Sequence, residues 1–218
     1  MYDQFGYGVS ISGDYVIVGA FREDPSGVTN AGSAYIFVRS GTTWSQQAKL
    51  VASDKAAFDQ FGYGVSISGD YVIVGADNAD PNGISGAGAA YVFVRSGTTW
   101  SQQAKLVASD KAASDYFGIS VAISSTGYAI VGASGADPNG ISRAGAAYIF
   151  KRSGSSWSQE TKLISPNLGS AAYFGRSVSI DGDRAVASAP LEYVSSIRGG
   201  GGHVFKRNAN GTWSNLTG

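Results

Sequence analysis

The sequence predicts an all-β protein, a β-propeller of four four-stranded antiparallel blades, and three observations carry that expectation. The phenylalanine of a Phe-Gly pair recurs at Phe5, Phe61, Phe117 and Phe174, at spacings of 56, 56 and 57 residues. The four tryptophans, Trp44, Trp100, Trp157 and Trp213, recur in step, 56, 57 and 56 apart. Thirty-one glycines against five prolines, without a Gly-X-Y period, indicate tight turns between short strands. A period of this length marks an array whose units cannot bury their faces alone and must stack on one another. The repeats divide one domain into residues 1–57, 58–113, 114–170 and 171–218. Four-stranded units stack radially, either as a ring of four or as half of a larger ring.

Within the first copy the strands follow in order. From Phe5 to Ser12, Phe5, Tyr7, Val9 and Ile11 alternate with Gly6, Gly8, Ser10 and Ser12, a period of two with one large and one small face. Such a strand suits the axis, where sheets converge and a large face nests on a small one. After a Gly13-Asp14 turn, Tyr15 to Ala20 is almost continuously apolar, as in a strand covered on both sides. A longer connection, Phe21 to Ala31, leads to Ser33–Arg39, rich in aromatic and β-branched residues. Ser40-Gly41-Thr42-Thr43 reads as a hairpin turn. The fourth strand, Trp44 to about Ala52, carries Gln46, Gln47 and Lys49, polar residues that blunt an outer edge. Burial is expected to fall from the first strand to the fourth. In the last copy only Ser214 to Gly218 follow the tryptophan, so that blade is expected to be frayed, cut short or completed by another chain.

Copies one and two are identical from Asp3 to Ala20 against Asp59 to Ala76, and from Phe37 to Ala57 against Phe93 to Ala113. Their differences gather between these blocks, in the connection from second to third strand. A shared scaffold with a varied loop suggests where recognition resides.

Composition excludes several classes. Sixteen basic and sixteen acidic residues cancel without a run of either sign, so a nucleic-acid partner is not expected. There is no cysteine, which removes disulfides, thiolate metal sites and cysteine nucleophiles. The apolar runs are too short for membrane insertion, and the first residues do not resemble a signal peptide.

The order Phe-Gly, Val-Gly-Ala, Gly-x-Ala-Tyr-x-Phe, tryptophan and Lys-Leu resembles the FG-GAP repeat of integrin α-subunit heads and of many extracellular microbial proteins. The resemblance covers the whole chain in four copies. It implies a propeller in which the Phe-Gly segment is innermost, a secreted or cell-surface location, and a role in adhesion or recognition without catalysis. Three features depart from the family. Val18-Gly19-Ala20, Val74-Gly75-Ala76 and Val131-Gly132-Ala133 lack the proline of Gly-Ala-Pro, while Ser188-Ala189-Pro190 keeps it without the glycine. Integrin heads have seven blades. Calcium-binding members also carry a D-x-D-x-D-G loop between first and second strands, where this chain has only Gly13-Asp14, Gly69-Asp70, Ser125-Thr126-Gly127 and Gly182-Asp183. A turn that short cannot supply six to eight oxygens, so no cofactor is expected and calcium is not carried over.

Candidate ligand residues lie in the varied connections Phe21–Ala31, Asp77–Ala87, Ser134–Ala144 and Leu191–Gly202: Phe21, Asp24, Asp77, Asn78, Asp80, Asn82, Asp137, Asn139, Arg143 and Tyr193. Asp24-Pro25-Ser26-Gly27, Asp80-Pro81-Asn82-Gly83 and Asp137-Pro138-Asn139-Gly140 read first as turns. Asn78, Asp80, Asn82 and Gly83 imitate the opening of a calcium loop, without a later acid to close it before Tyr91. His203, the one histidine, takes the place of Tyr35, Tyr91 and Tyr148 and reads as a substituted core aromatic. No Ser/His/Asp, metal or phosphate-loop constellation emerges, so no enzyme is expected. Asn210-Gly211-Thr212 and Asn215-Leu216-Thr217 fit the N-glycosylation pattern. The expected partner is a protein or glycan, bound by a monomer or a homodimer; the alternative is a structural, self-assembling unit without a specific ligand, and the third and least expected reading is a glycosidase-like propeller enzyme.

Overall fold

The computed structural model describes residues 2–216. Blade 1 is the sheet of β1 (Phe5–Ser12), β2 (Tyr15–Ala20), β3 (Ser33–Ser40) and β4 (Thr43–Leu50). Blade 2 follows with β5 (Val65–Ser68), β6 (Tyr71–Ala76), β7 (Ala89–Ser96) and β8 (Thr99–Leu106), and blade 3 with β9 (Phe117–Ile123), β10 (Tyr128–Ala133), β11 (Ala146–Ser153) and β12 (Ser156–Leu163). Blade 4 pairs β13 (Val178–Asp181), β14 (Arg184–Ala189), β17 (Gly201–Arg207) and β18 (Trp213–Asn215). A separate hairpin, β15 (Tyr193–Val194) with β16 (Ile197–Arg198), is inserted between β14 and β17. Every pairing within the sheets is antiparallel.

The cores lie between blades, as stacking requires. Ile17, Ala34, Ile36 and Leu50 on the trailing face of blade 1 pack with Phe61, Val65, Ile67 and Phe93 on the leading face of blade 2. The same positions recur as Ile73, Ala90, Val92 and Leu106 against Phe117, Val121, Ile123 and Phe150, and as Ile130, Ala147, Ile149 and Leu163 against Phe174, Ile180 and Phe205. Backbone joins the blades as well. The Phe61, Phe117 and Phe174 amides donate to the Ala31, Ala87 and Ala144 carbonyls of the preceding blade, at 2.9, 3.1 and 2.9 Å. Tryptophan closes each junction: Trp100, Trp157 and Trp213 donate Nε1–H to Gln47, Gln103 and Glu160 across it, at 2.9, 2.8 and 2.8 Å.

Glycine is obligatory where the backbones meet. A Cβ on Gly19, Gly75 or Gly132 would lie closer than 3.0 Å to the carbonyl oxygen of Gly62, Gly118 or Gly175 in the next blade. These are the glycines of Val-Gly-Ala, and the Phe-Gly glycines supply the facing carbonyls.

Two expectations are corrected. The alternation of the first strand breaks between Phe5 and Val9, where Gly6 has φ +92° and the register shifts. In blades 2 and 4 the ladder consequently begins only at Val65 and Val178. Burial also does not fall from first strand to fourth in blade 1: Phe5 is 57% exposed and Trp44 42%, against 0% for Phe61 and 9% for Trp100. Burial here depends on a preceding blade, and none of the described residues covers that face.

Candidate functional site

The two ends of the blades differ in what connects their strands. At one end the links are tight: Gly13-Asp14 and Gly41-Thr42 in blade 1, with counterparts in the others. At the other end lie all the β2–β3-type connections, residues 21–32, 77–88, 134–145 and 190–200, and the blade-to-blade links. Every candidate ligand residue falls at this long-loop end.

The Asp-Pro-x-Gly segments are turns with an aspartate clasp. Pro25–Gly27, Pro81–Gly83 and Pro138–Gly140 form single 3₁₀ turns, with Ser26, Asn82 and Asn139 at φ 56°, 58° and 56° and the next glycine also at positive φ. Asparagine tolerates that conformation better than serine. The carboxylates of Asp24, Asp80 and Asp137 accept the amides of Asn30, Gly86 and Arg143 at 2.7, 2.7 and 2.6 Å. Asn78 Nδ2 donates to the Phe58 carbonyl at 2.9 Å. Asp80 therefore serves its own loop's backbone and Asn78 that of the link between blades 1 and 2, and no group of three or more His, Cys, Asp or Glu placed to hold a metal occurs among the described residues.

Between neighbouring blades the loops leave repeated clefts. One, of about 290 Å³, is lined by Asp54, Asp59, Asp80, Asn82 and Lys105; its counterpart, of about 360 Å³, by Asp110, Asp137, Asn139 and Lys162. Lys105 and Lys162 pair with Asp54 and Asp110 at 2.6 and 2.7 Å, and Tyr148 donates its hydroxyl to Asp110 at 2.9 Å. Burial pushes the Tyr91 and Tyr148 phenols up, with the nearby aspartates adding to it. Burial opposes ionisation of Asp54 and Asp110, but the lysine and tyrosine hydrogen bonds outweigh it and hold both carboxyls below the ordinary value.

A different group gathers at the axis. Two residues after each Phe-Gly phenylalanine stand Tyr7, Tyr63, Ile119 and Arg176. The Tyr7 hydroxyl donates to that of Tyr63 at 2.8 Å, and both rings rest on the buried Phe21, at 4.8 and 5.1 Å between centroids. Burial opposes the charge of Arg176, yet the hydroxyls of Tyr63 and Tyr7 sustain it and raise its pKa. Asp77, at the position of Phe21, is buried with Oδ1 unpartnered. Burial lifts its pKa to about 7, against the opposing pull of backbone amides and of Arg176. Beside this group, Ile119, Ser134, Tyr173, Arg176, Pro190 and Leu191 line a hollow of about 400 Å³.

The sequence candidates are thus split among several places. Asp80, Asn82, Asp137 and Asn139 line the clefts, and Phe21 and Asp77 join the axis. Arg143 lies beside Tyr173, whose hydroxyl raises its pKa. Tyr193 stands exposed on the β15–β16 hairpin with Arg198 over its ring at 5.7 Å. Tyr7, Tyr63 and Arg176 escaped the sequence reading. Aligning the residue after each Phe-Gly pair would have shown a Tyr, Tyr, Ile, Arg series, where the strand's other differences are exchanges among small residues and one aspartate.

One further constellation corrects the sequence reading. Blade 4 brings Ser165, Glu192 and His203 together, all buried, at positions that hold Ala108, Ala136 and Tyr148 in blade 3. His203 Nε2 lies 2.7 Å from Glu192 Oε2 and 3.4 Å from Ser165 Oγ, and the serine donates to Glu192 Oε1. Acid and hydroxyl both approach the same ring nitrogen. The imidazole therefore cannot relay a proton from one to the other as a catalytic triad does. Gly201 makes room for the acid, because a Cβ there would overlap Glu192 Oε2. Gly201→Ala, which installs the residue found at Ala89 and Ala146, is expected to destabilise the protein by about 1–3 kcal/mol. Chemical denaturation checks this, and an unchanged midpoint would count against the packing described.

Of the glycosylation triplets, Asn210 lies in an exposed turn and accepts from Thr212 Oγ1 at 2.7 Å. The triplet at Asn215 includes Thr217, outside the described residues. No helix among the described residues is long and apolar enough to cross a membrane. No curated protein matches the chain. A family model described as FG-GAP repeat matches it four times, over residues 1–37, 44–93, 100–150 and 157–205. With four matched copies and a Phe-Gly carbonyl seated on a Val-Gly-Ala glycine at each junction, the chain belongs to the FG-GAP repeat family.

Proposed function

We propose that this chain is a non-enzymatic, extracellular recognition module that captures a protein or glycan on its long-loop end, with the axis group as its polar anchor. FG-GAP repeats occur in adhesion-type propeller proteins, which supports the class. The observation that carries the site is the Tyr7, Tyr63 and Arg176 convergence. These residues replace one another at a single position of the repeat, and the differences bring an arginine and two phenols to one mouth. Arginine and tyrosine are among the residues enriched as interface anchors, and stacked aromatics with hydrogen-bonding hydroxyls suit a sugar face equally well.

Binding to arrays of glycans and extracellular proteins, with calcium and with chelator, tests the proposal. Arg176→Ala is expected to weaken any ligand found by roughly tenfold or more, with the circular dichroism spectrum unchanged. A ligand whose affinity ignores Arg176, Tyr7 and Tyr63 together would remove the axis mouth as its site.

A further inference from the structure

Two positions of the repeat line the axis at the long-loop end, and blade 3 carries small residues at both. The first holds Tyr7, Tyr63, Ile119 and Arg176; the second, directly after each second strand, holds Phe21, Asp77, Ser134 and Pro190. The rings of Tyr7, Phe21 and Tyr63 pack on one another, with centroids 4.8, 5.1 and 4.8 Å apart. Blade 3 sets Ile119 and Ser134 where blade 1 has two such rings, and the space between blades 3 and 4 is the hollow of about 400 Å³. Ile119, Pro190 and Leu191 give it apolar walls, with Arg176 and Tyr173 beside them.

The charge around this hollow is one-sided. Arg176 lines it, Arg143 lies against the Tyr173 hydroxyl, and Arg198 comes from the β15–β16 hairpin, which stands where blades 1 to 3 have their Asp-Pro-x-Gly turns. Each guanidinium rests on neutral oxygens: Arg176 on the hydroxyls of Tyr63 and Tyr7, Arg143 on that of Tyr173, and Arg198 on the Leu191 and Ala171 carbonyls at 3.2 and 3.3 Å. None of the three forms an ion pair among the described residues. No carboxylate among them lines the hollow either. The acids close by in the chain are committed elsewhere. Asp137 accepts the Arg143 amide at 2.6 Å, and Glu192 is buried against Ser165 and His203.

We propose that the hollow between blades 3 and 4 is the specificity pocket of a peptide site: it takes one apolar side chain of an acidic segment of a partner protein, whose flanking carboxylates meet Arg176, Arg198 and Arg143. The proposal deepens the recognition reading above and rests on it through Arg176. Clustered guanidiniums without an internal counter-charge suit acidic motifs, which they grip through charge-assisted, bidentate bonds. Their uncompensated field also draws such a segment in. A sugar fits this hollow less well. Its hydroxyls would give up water for Ile119, Pro190 and Leu191, with only Ser134, Tyr173 and Arg176 as polar side chains on the lining, and hydroxyls left unpaired are costly. The inserted hairpin has a part in this site, because the guanidinium that holds the Leu191 carbonyl also brings charge to the rim.

Short fluorescein-labelled peptides, otherwise capped at both ends, test this by anisotropy on the full chain. They carry leucine or serine at the centre and aspartate or asparagine on either side. Leucine between aspartates is expected to bind roughly tenfold or more tightly than leucine between asparagines or serine between aspartates, and to weaken as salt is raised. Two variants separate the contributions. Ile119→Tyr installs the residue that blades 1 and 2 carry at that place; it should keep the fold and the preference for aspartate, and lose that for leucine. Arg143→Gln combined with Arg198→Gln should reduce the preference for aspartate and leave that for leucine. Wild type that binds none of the peptides, or binds them alike whatever their charge, overturns the proposal, as does a folded Ile119→Tyr chain that still prefers leucine. An oligosaccharide of uronic acids is the competing anion. If it binds through Arg176 and the leucine peptide does not displace it, the acidic-peptide assignment fails while Arg176 stands as an anchor; binding that ignores Arg176 as well removes both.

Discussion

Replacing Gly75 by alanine is expected to destabilise the protein by about 3 kcal/mol or more. The new Cβ would lie closer than 3.0 Å to the Gly118 carbonyl oxygen of the next blade, and the neighbouring Gly118 backbone atoms leave it no room. Neither side can yield alone. Gly75 is held by its amide donating to the Gly64 carbonyl at 2.8 Å and its carbonyl accepting from Gly62 at 2.9 Å, while Phe117 is tied to Ala87. Relief would require blades 2 and 3 to part, opening the core of Ile73, Val92 and Phe117. Ser188→Ala at the same position of blade 4 is the control and should cost far less, since its chief loss is the bond the Ser188 hydroxyl accepts from the Ser177 amide at 3.0 Å. Urea unfolding of the two variants measures the contrast, and equal midpoints would show that the glycine is dispensable.

Asp77 should make stability fall as pH rises from about 4 to about 7. Burial lifts its folded pKa from the model-compound value of 3.8 to about 7. Across that window the folded state holds a proton that the unfolded state has released, so unfolding becomes easier as pH increases. Above about 7 the loss is complete, and below about 4 it is absent. The expected difference is on the order of 2–4 kcal/mol. Asp59 and Asp115, also raised chiefly by burial, add to the slope with the same sign, so the contribution of Asp77 is read from wild type minus Asp77→Asn. That difference should vanish near pH 4. Arg176→Met should push the Asp77 transition to still higher pH, because the arginine draws it down. A pH-independent difference would mean that Asp77 is charged throughout.

These two residues also show what the close approach of the blades brings together. Glycine at 19, 75 and 132 lets the backbones approach, and that approach carries Tyr7, Tyr63 and Arg176 to one mouth. A buried acid with an unpartnered oxygen beside an arginine is costly to the fold, as buried unpaired polar groups are. Such costs gather at functional sites, and Asp77 stands at the position that Phe21 fills in blade 1 with an aromatic ring.

The sequence alone determined the repeat, the four-stranded unit, the order of its strands and the family. Those features are written in local chemistry: period-two alternation, glycine turns and one tryptophan per copy, each acting over a few residues. The Asp-Pro-x-Gly turns were legible for the same reason, because proline, asparagine and glycine set their own dihedrals. Which faces are covered was decided only by the tertiary structure. Phe5 and Phe61 have identical neighbours in sequence, yet one is exposed and the other fully buried. Their difference lies in whether a blade precedes them, and burial depends on what stacks in space. The axis group and the Ser165, Glu192 and His203 cluster were hidden likewise, since each draws members from segments tens of residues apart that meet only when blades converge.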